Sequence, residues 1–595
     1  MPGEDLQAEA RPARRWPVVA FAVFLLAVAA THGAVWREGA RQFVPTGRLE
    51  APKPGPGGMP LSDVVKINRA DALFEAWLVT RNAETLIRHA SKLFQTEHCA
   101  PVENTLTLGI PMIAMGVLAI PALLVTDDPI LIYNFSIVAL TLLMAFSMYW
   151  LVTDWSGVPA AGVVAGLLYA FHPLRLFYIV HPTEWDSSWT VLALLFARRL
   201  FARGWWRDAV GLALAVALQM ASNFYQLMAA VFLVPPFALW LACHYRLRRA
   251  HIGQLAFVVA AVLLAAALIY GPYLEVRSSS SELLHRSVFF YASWSGYLPH
   301  GVTFLGWPLI ALAFLGIMLG RRRTLGDLGG DPRWALLAGA ILVAVMAAGN
   351  FNNGILLLFW EKPPFTLPDP YAFLAGVLPG LDSVRVVFRM SAGVILAFSV
   401  LAGLGAAALI RASGRQSTLV AAALIAGSAV AALRPDFFGS TLPRGWDLHD
   451  VQASQEAVQF FDALAKSGND GPLLELPYEP GFGWGINPER ILLTAYHHRR
   501  TSACYGSFLP PETQEILLLS TRLPEPAAAR RLSELGFTTV VVHHGKDAMG
   551  SILSRLLQRP GSQESLRLLH SNGLITAFEL LPSVRGSPPP PSAGR

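Results

Sequence analysis

Two arginines four residues apart, Arg385 and Arg389, open an apolar run of the chain. That spacing puts both guanidinium groups on one side of a helix. A planar fork donating two parallel bonds suits a phosphate, and anchoring on lipid headgroups is an equal alternative. Arg277 and Arg286, after Tyr273, could add to the same positive site. Carboxylates supply the opposite charge. Asp71 and Glu75 are one helical turn apart and are followed by Trp77; His181-Pro-Thr-Glu184-Trp185-Asp186 packs two acids, a histidine and a tryptophan together. In a chain this poor in charge, ionisable residues near membrane depth are functional candidates by default. For Asp71 and Glu75 a solvated amphipathic helix is the competing reading. His172, followed by Pro173, reads as a satisfied polar residue at a helix break. The pairs His497/His498 and His543/His544 suggest metal ligands, yet adjacent residues on a strand point to opposite faces.

The elements that must position these groups are membrane helices. Of 595 residues 54% are hydrophobic and only 14% charged, with a mean hydropathy of +0.45. A soluble chain carries about 25% charge. The deficit excludes an ordinary cytosolic enzyme, a disordered protein and a nucleic-acid binder, despite a net charge of +6. Cys99, Cys243 and Cys504 match no zinc pattern and exclude a disulfide scaffold. Phosphate loops, dinucleotide fingerprints and zinc-protease helices are all missing, which argues against ATP-driven transport by this chain alone.

Spanning helices need about 20 apolar residues. Candidates are Trp16–Trp36, Ile130–Val152, Val158–Val180, Ser187–Ala197, Ala209–Ala221, Phe224–His244, Phe257–Tyr273, Val302–Gly320, Trp334–Gly349, Val386–Ile410 and Thr418–Leu433. Arginines cluster at 198–207, 246–249, 321–323 and 411–415, with two apolar segments between successive clusters, so all can share the cytoplasmic side. Thr105–Val125, interrupted by Pro111 and Pro121, then reads as a re-entrant or interfacial element. The expectation is an all-α polytopic domain over 16–433 with about eleven crossings, a cytoplasmic N-terminus at 1–15 and a first external region at 37–128.

After Leu433 the pattern changes. Ser454–Lys466 reads as an amphipathic helix, Leu473–Leu476 as a strand ended by Pro477, and Pro524–Leu535 as a helix with Gly536 past its end. Phe537–Val542 and Leu574–Leu580 are β-rich. Residues 434–582 should form an extracytoplasmic α/β domain, and the proline-rich tail at 583–595 a disordered end.

The run Asp71-Ala-Leu-Phe-Glu-Ala-Trp77 resembles the external-loop motif of bacterial GT-C-type membrane glycosyltransferases. Ala165-Gly-Leu-Leu-Tyr-Ala-Phe-His-Pro173 followed by His181, and Ser383-Val-Arg-Val-Val-Phe-Arg389, are similar to further segments of that group. Gly471-Pro-Leu-Leu-Glu-Leu-Pro477 and Tyr505-Gly-Ser-Phe-Leu-Pro-Pro511 look familial too. Arg69-Ala-Asp71 departs by lacking a glycine before the acid, and Gly109-Ile110 stands where relatives often have a serine and an acid. The resemblance implies a multi-pass enzyme of the bacterial inner membrane, working on the outer face. It would move a sugar from a polyprenyl-phosphate carrier to a glycan, lipid or protein acceptor. Asp71 is then the matching catalytic base, Glu184 or Asp186 a second acidic site, and Glu75, Trp77, His181 and the arginines substrate contacts. No redox cofactor is needed, and a divalent metal is an open matter. A non-catalytic lipid or glycan carrier and an envelope-assembly scaffold are the alternatives.

Overall fold

A computed structural model of the chain describes residues 5–33, 42–47, 61–279, 291–292, 294–319, 330–349, 369–378, 380–384, 386–439, 446–450, 453–479, 486–544 and 548–581. Two compact units emerge: Met1–Pro54 with Ile110–Gly271 and Arg286–Asp450, and Gly55–Gly109 with Pro272–His285 and Val451–Arg595. The chain is therefore not divided at a single point near Leu433. The segment containing Asp71 packs in the same unit as the C-terminal sheet.

The first unit is mostly helical, with one antiparallel ribbon of β1 (Gln42–Gly47) and β2 (Trp446–Asp450). Pro129–Ser156, Phe224–His244, Arg249–Val276, Val387–Ala412 and Gly414–Leu433 are long and apolar enough to cross a membrane. Arg15–Thr31, Ile113–Leu123, Pro159–Ala170, Trp307–Leu319 and Arg333–Ala348 are shorter apolar helices. The ends are written locally. Asp128 Oδ1 accepts from the amides of Ile130 (2.8 Å) and Leu131 (3.2 Å), and Pro129 occupies the first turn. Gly157, at φ 69°, closes the same helix.

Burial separates core helices from outer ones. The apolar window of Val387–Ala412 is 89% buried, that of Arg249–Val276 only 11%. Leu263, Leu264 and Leu268 on the latter are 62–64% exposed. Water would not tolerate such a face, but lipid tails do. At the core, Trp307–Leu319 meets Ser391–Ala412 backbone to backbone. A Cβ added at Gly405 would stand 2.0 Å from the Leu312 carbonyl oxygen, and one at Gly316 would stand 2.1 Å from that of Leu401. Small residues at this crossing are what permit the approach.

Two expected segments are built differently. Val158–Val180 is not one crossing: its helix covers Pro159–Ala170 and ends before His172-Pro173, where proline removes a donor and starts a new short helix, Pro173–Phe177. Twelve residues rise about 18 Å, short of the ~30 Å hydrocarbon core. Thr105–Val125 splits into a turn at Thr105–Leu108 and a helix at Ile113–Leu123, with Met112 at φ 47° between them. Ser187–Ala197 and Ala209–Ala221 do become helices, at Ser188–Arg203 and Trp206–Ser222.

In the second unit a four-stranded sheet runs in the order β3 (Leu473–Leu476), β4 (Thr539–His543), β6 (Ile575–Leu580), β5 (Leu566–Ser571). β3 and β4 are parallel, whereas β4–β6 and β6–β5 are antiparallel. Gln455–Ala465 is capped by Ser454, whose Oγ accepts from the Ala457 amide (3.1 Å). Its apolar stripe of Ala457, Phe460, Phe461 and Leu464 lies in the core, the i, i+3, i+4, i+7 pattern in place. The expected helix near Pro524 begins at Pro526 and ends at Glu534. Leu61–Arg88 is a long helix of this unit. It is not the solvated helix weighed above: Ala72, Leu73, Ala76, Trp77 and Val79 are each at most 1% exposed. One disulfide, Cys99–Cys504, closes across 405 residues of sequence, and Cys243 is free.

Replacing Gly405 by valine should separate the two core helices. We expect about 1–3 kcal/mol of destabilisation, read as a fall of several degrees in the melting temperature of the detergent-purified protein. An unchanged melting temperature would show that this crossing is not tight.

Candidate functional site

In the first unit the candidate residues lie on an irregular segment between Ala170 and Ser188. Nearly every residue of it is buried, so His181–Asp186 is an internal loop and not an exposed turn. Buried backbone without a helix must find other hydrogen-bond partners. Side chains of the surrounding helices provide them. Tyr133 donates to the Val180 carbonyl (3.0 Å), and Gln226 Nε2 to those of Glu184 and Arg389 (2.8 Å each). Asn223 Nδ2 donates to the Thr183 carbonyl, while its Oδ1 caps the next helix by accepting from the Gln226 amide (2.8 Å). His172 accepts from the Leu174 amide (3.3 Å), and its Nε2 stands 3.1 Å from the Leu305 carbonyl oxygen. That fits its reading as a satisfied residue at a helix break.

The charged groups converge on this frame. Glu184 forms an ion pair with Arg389, and His181 Nδ1 lies 3.6 Å from the same carboxylate. The Arg389 guanidinium also stands 5.0 Å from the Tyr225 ring centroid. Asp186 points elsewhere, its Oδ1 accepting from the Ser188 amide (2.8 Å) and hydroxyl. Trp185 stacks on Tyr178 at 5.2 Å. The loop thus brings together His181, Glu184 and Arg389.

In the second unit, Asp71 is half-buried and its Oδ1 accepts a hydrogen bond from the Tyr505 hydroxyl (2.5 Å). The Tyr505 ring lies 5.3 Å from Phe74, which in turn touches Trp77 and His98. Glu75, on the same helix, is buried, and Trp77 is wholly enclosed. Cys504, next to Tyr505, is tied to Cys99, and Arg69 pairs with Glu489 (2.5 Å). Carboxylate and hydroxyl are therefore brought together from sequence positions 434 residues apart.

Burial sets the protonation of the surrounding groups. It pushes His98 down to about 3, with the nearby charges of Arg81 and Arg500 adding to the effect. His497 falls to about 3 for the same first reason. Burial alone would raise Glu475, but His543, Arg490 and His497 outweigh it and hold the carboxyl below its usual range. His543 bonds Glu475 and His544 contacts Thr576 (2.9 Å). Among the described residues no group of three histidines, cysteines or acids could hold a metal ion.

No family model matches the chain, and no curated protein does. Solved structures do. The mycobacterial arabinofuranosyltransferase AftD is similar over 95% of this chain, with a TM-score of 0.50 and 17% identity. A mutant of the same enzyme gives 0.51 and 16%, again over 95%. The fold is GT-C-like. At this identity the likeness is one of fold alone, and the chain spans 40% of the length of AftD. ArnT from Cupriavidus metallidurans in the apo state matches at a TM-score of 0.44 and 12% identity, over 98% of this chain and 100% of that one.

Within this GT-C-like fold, Arg385 and Arg286 lie outside the described residues, as does the side chain of Arg277. Sequence reading singled out the run at Tyr505 without giving that residue a role, and it missed Arg175 and the amides Gln219, Asn223 and Gln226. The amides had left a trace: three amide side chains at intervals of four and three in a run without a charged residue.

Asn223→Leu should remove a helix cap and leave buried carbonyls unserved. The expected loss is about 2–4 kcal/mol, measured as thermal stability in detergent. Acid should weaken the second unit. Unfolded histidine takes up a proton near pH 6.5, whereas buried His98 and His497 resist it down to about pH 3. Their contribution is whole above pH 6.5 and is lost progressively below it. A melting temperature that stays flat from pH 7.5 to 5 would contradict that burial.

Proposed function

We propose that the chain is a membrane glycosyltransferase that moves a sugar from a polyprenyl-phosphate carrier to a cell-envelope acceptor, with Asp71 as the general base. The observation that carries the reading is a half-buried carboxylate on the first-region helix, held by the Tyr505 hydroxyl, in a chain of GT-C-like fold. Asp71 would take the proton from an acceptor hydroxyl as its oxygen attacks the anomeric carbon. The bond from that carbon to the phosphate oxygen breaks, the electron pair leaves with polyprenyl phosphate, and the anomeric centre inverts. Phosphate is the leaving group, so the step consumes no redox equivalent.

Arg389 would meet the donor phosphate by exchanging Glu184 for it, which makes Glu184 its resting partner and not a second base. Asp186, engaged with Ser188, would hold the loop. We place the chain in the bacterial inner membrane as a multi-pass protein, with the arginine clusters at 198–207, 246–249 and 411–415 inside and Val451–Arg595 outside. The Cys99–Cys504 disulfide supports an oxidising compartment for that part. One observation favours a non-catalytic carrier instead: Asp71, Glu184 and Asp186 all have partners within the chain.

Asp71→Asn decides between them. Amide and carboxylate match in size, so expression and melting temperature should hold while transfer from a labelled polyprenyl-phosphate sugar falls by about 10²–10⁴. Glu75→Gln should cost less. If Asp71→Asn transfers normally and Glu184→Gln does not, the base is misassigned. Vesicle transport with no product at all would establish the carrier.

A further inference from the structure

Tyr505 belongs to neither a helix nor a strand, yet its backbone is pinned on both sides. Before it, the amides of Cys99 and Ala100 donate to the carbonyls of Ala503 (2.9 Å) and Thr501 (2.8 Å), and the Thr501 amide donates to that of Glu97 (2.7 Å). Asn487 Nδ2 serves the Cys504 carbonyl (3.1 Å), and the Cys99–Cys504 disulfide adds a covalent tie one residue from the tyrosine. After it, the amides of Ser507 and Phe508 share the Leu108 carbonyl (2.8 and 3.1 Å). A Cβ at Gly506 would stand 2.8 Å from that same oxygen, so glycine is what lets the two strands of chain meet.

All of this restraint ends in one hydroxyl, which donates to Asp71 Oδ1. Between Ala70 and Ala83 the helix Leu61–Arg88 is buried except at Asp71 and Phe74, which are partly exposed and, three residues apart, share a face. The Tyr505 ring, itself only 7% exposed, rests against Phe74 at 5.3 Å. Rotation of a carboxylate about its last torsion is soft and roughly two-fold. A base that takes a proton from an acceptor hydroxyl must nevertheless present an oxygen in one direction, and a misplacement of about 1 Å costs about 10²-fold. A hydrogen bond from a rigidly mounted donor narrows that rotation.

We propose that Tyr505 is a positioning residue of the transfer reaction, its hydroxyl setting the rotation of the Asp71 carboxylate. The inference rests on Asp71 being the base, as proposed above. Tyr505 keeps its own proton throughout, and the proton of the acceptor goes to Asp71. The chain after Val451 then contributes to the catalytic centre, and does not merely stand beside it.

Tyr505→Phe in the full chain tests this, because the ring, the disulfide and the backbone bonds around it all remain. With a labelled polyprenyl-phosphate sugar, kcat should fall about 10–100-fold, while KM and the melting temperature stay near those of the parent. Lost packing would lower the melting temperature and a lost substrate contact would raise KM, so the split separates positioning from both. In the Asp71→Asn background Tyr505→Phe should lower kcat no further, because the group through which it acts is gone. Should Tyr505→Phe not fold, Gly506→Ala displaces the tyrosine against Leu108 and keeps the hydroxyl, and kcat should again fall. Parental kcat in the folded variant, an effect on KM alone, or losses that add in the double variant overturn the proposal. If Asp71→Asn is inactive and Tyr505→Phe unimpaired, only the role of the tyrosine falls. If Asp71→Asn transfers normally, or the parent transfers from no donor, the base assignment falls and this inference with it.

Discussion

Carbonyl groups without a helix to serve them govern the first unit. Between Ala170 and Ser188 the chain holds only short turns of helix while remaining buried, and the carbonyls that its own amides do not serve need a donor from elsewhere. The donors come from Tyr133, Asn223 and Gln226. Because Gln226 serves the carbonyls of both Glu184 and Arg389, it fixes the two backbones whose side chains form the ion pair. The charged constellation is thus supported from behind by neutral amides. A hydrophobic residue in place of Gln226 would keep its volume and forfeit that support.

Electrostatics then differs from one buried arginine to the next. Arg389 has a carboxylate, a carbonyl-anchored backbone and a ring face. Such a pair adds little net stability but defines one arrangement. Arg175 has a comparable burial, with the Asp186 carboxylate acting on it electrostatically and the Tyr169 ring 5.0 Å away. In the second unit the Asp71 carboxylate accepts from a hydroxyl, a neutral partner. The buried charges of the chain are therefore compensated in different ways from one to the next.

Much of this fold was legible from periodicity and punctuation. Leu473–Leu476 was found to the residue because Pro477 ends it, and the stripe of Ala457, Phe460, Phe461 and Leu464 announced its helix. Strand β5 was missed because it lies at the sheet edge with most of its residues partly or fully exposed, so Leu566–Ser571 carries no apolar run. The crossing expected at Val158–Val180 failed because apolar composition persists through a segment whose burial is supplied by protein and not by lipid. Hydropathy cannot tell the two apart. For the candidate site, residue types were readable but partners were not: nothing local to Asp71 points to Tyr505, and nothing near Cys99 points to Cys504. Long-range pairing leaves no period in a sequence.

The Cys99–Cys504 bond also imposes an order on biosynthesis. Cys99 leaves the ribosome 405 residues before its partner exists, roughly 20–80 s at 5–20 residues per second. The helix Leu61–Arg88 must meanwhile persist without the helix Asn487–His497 and the tyrosine it later packs against. Cys243, the third thiol, is made within that interval and is exposed, so the wrong partner arrives before the right one. It sits at the end of Phe224–His244, next to Arg246, Arg248 and Arg249. In the proposed topology that end faces the cytoplasm, and the bilayer itself keeps the early thiol from capturing Cys99.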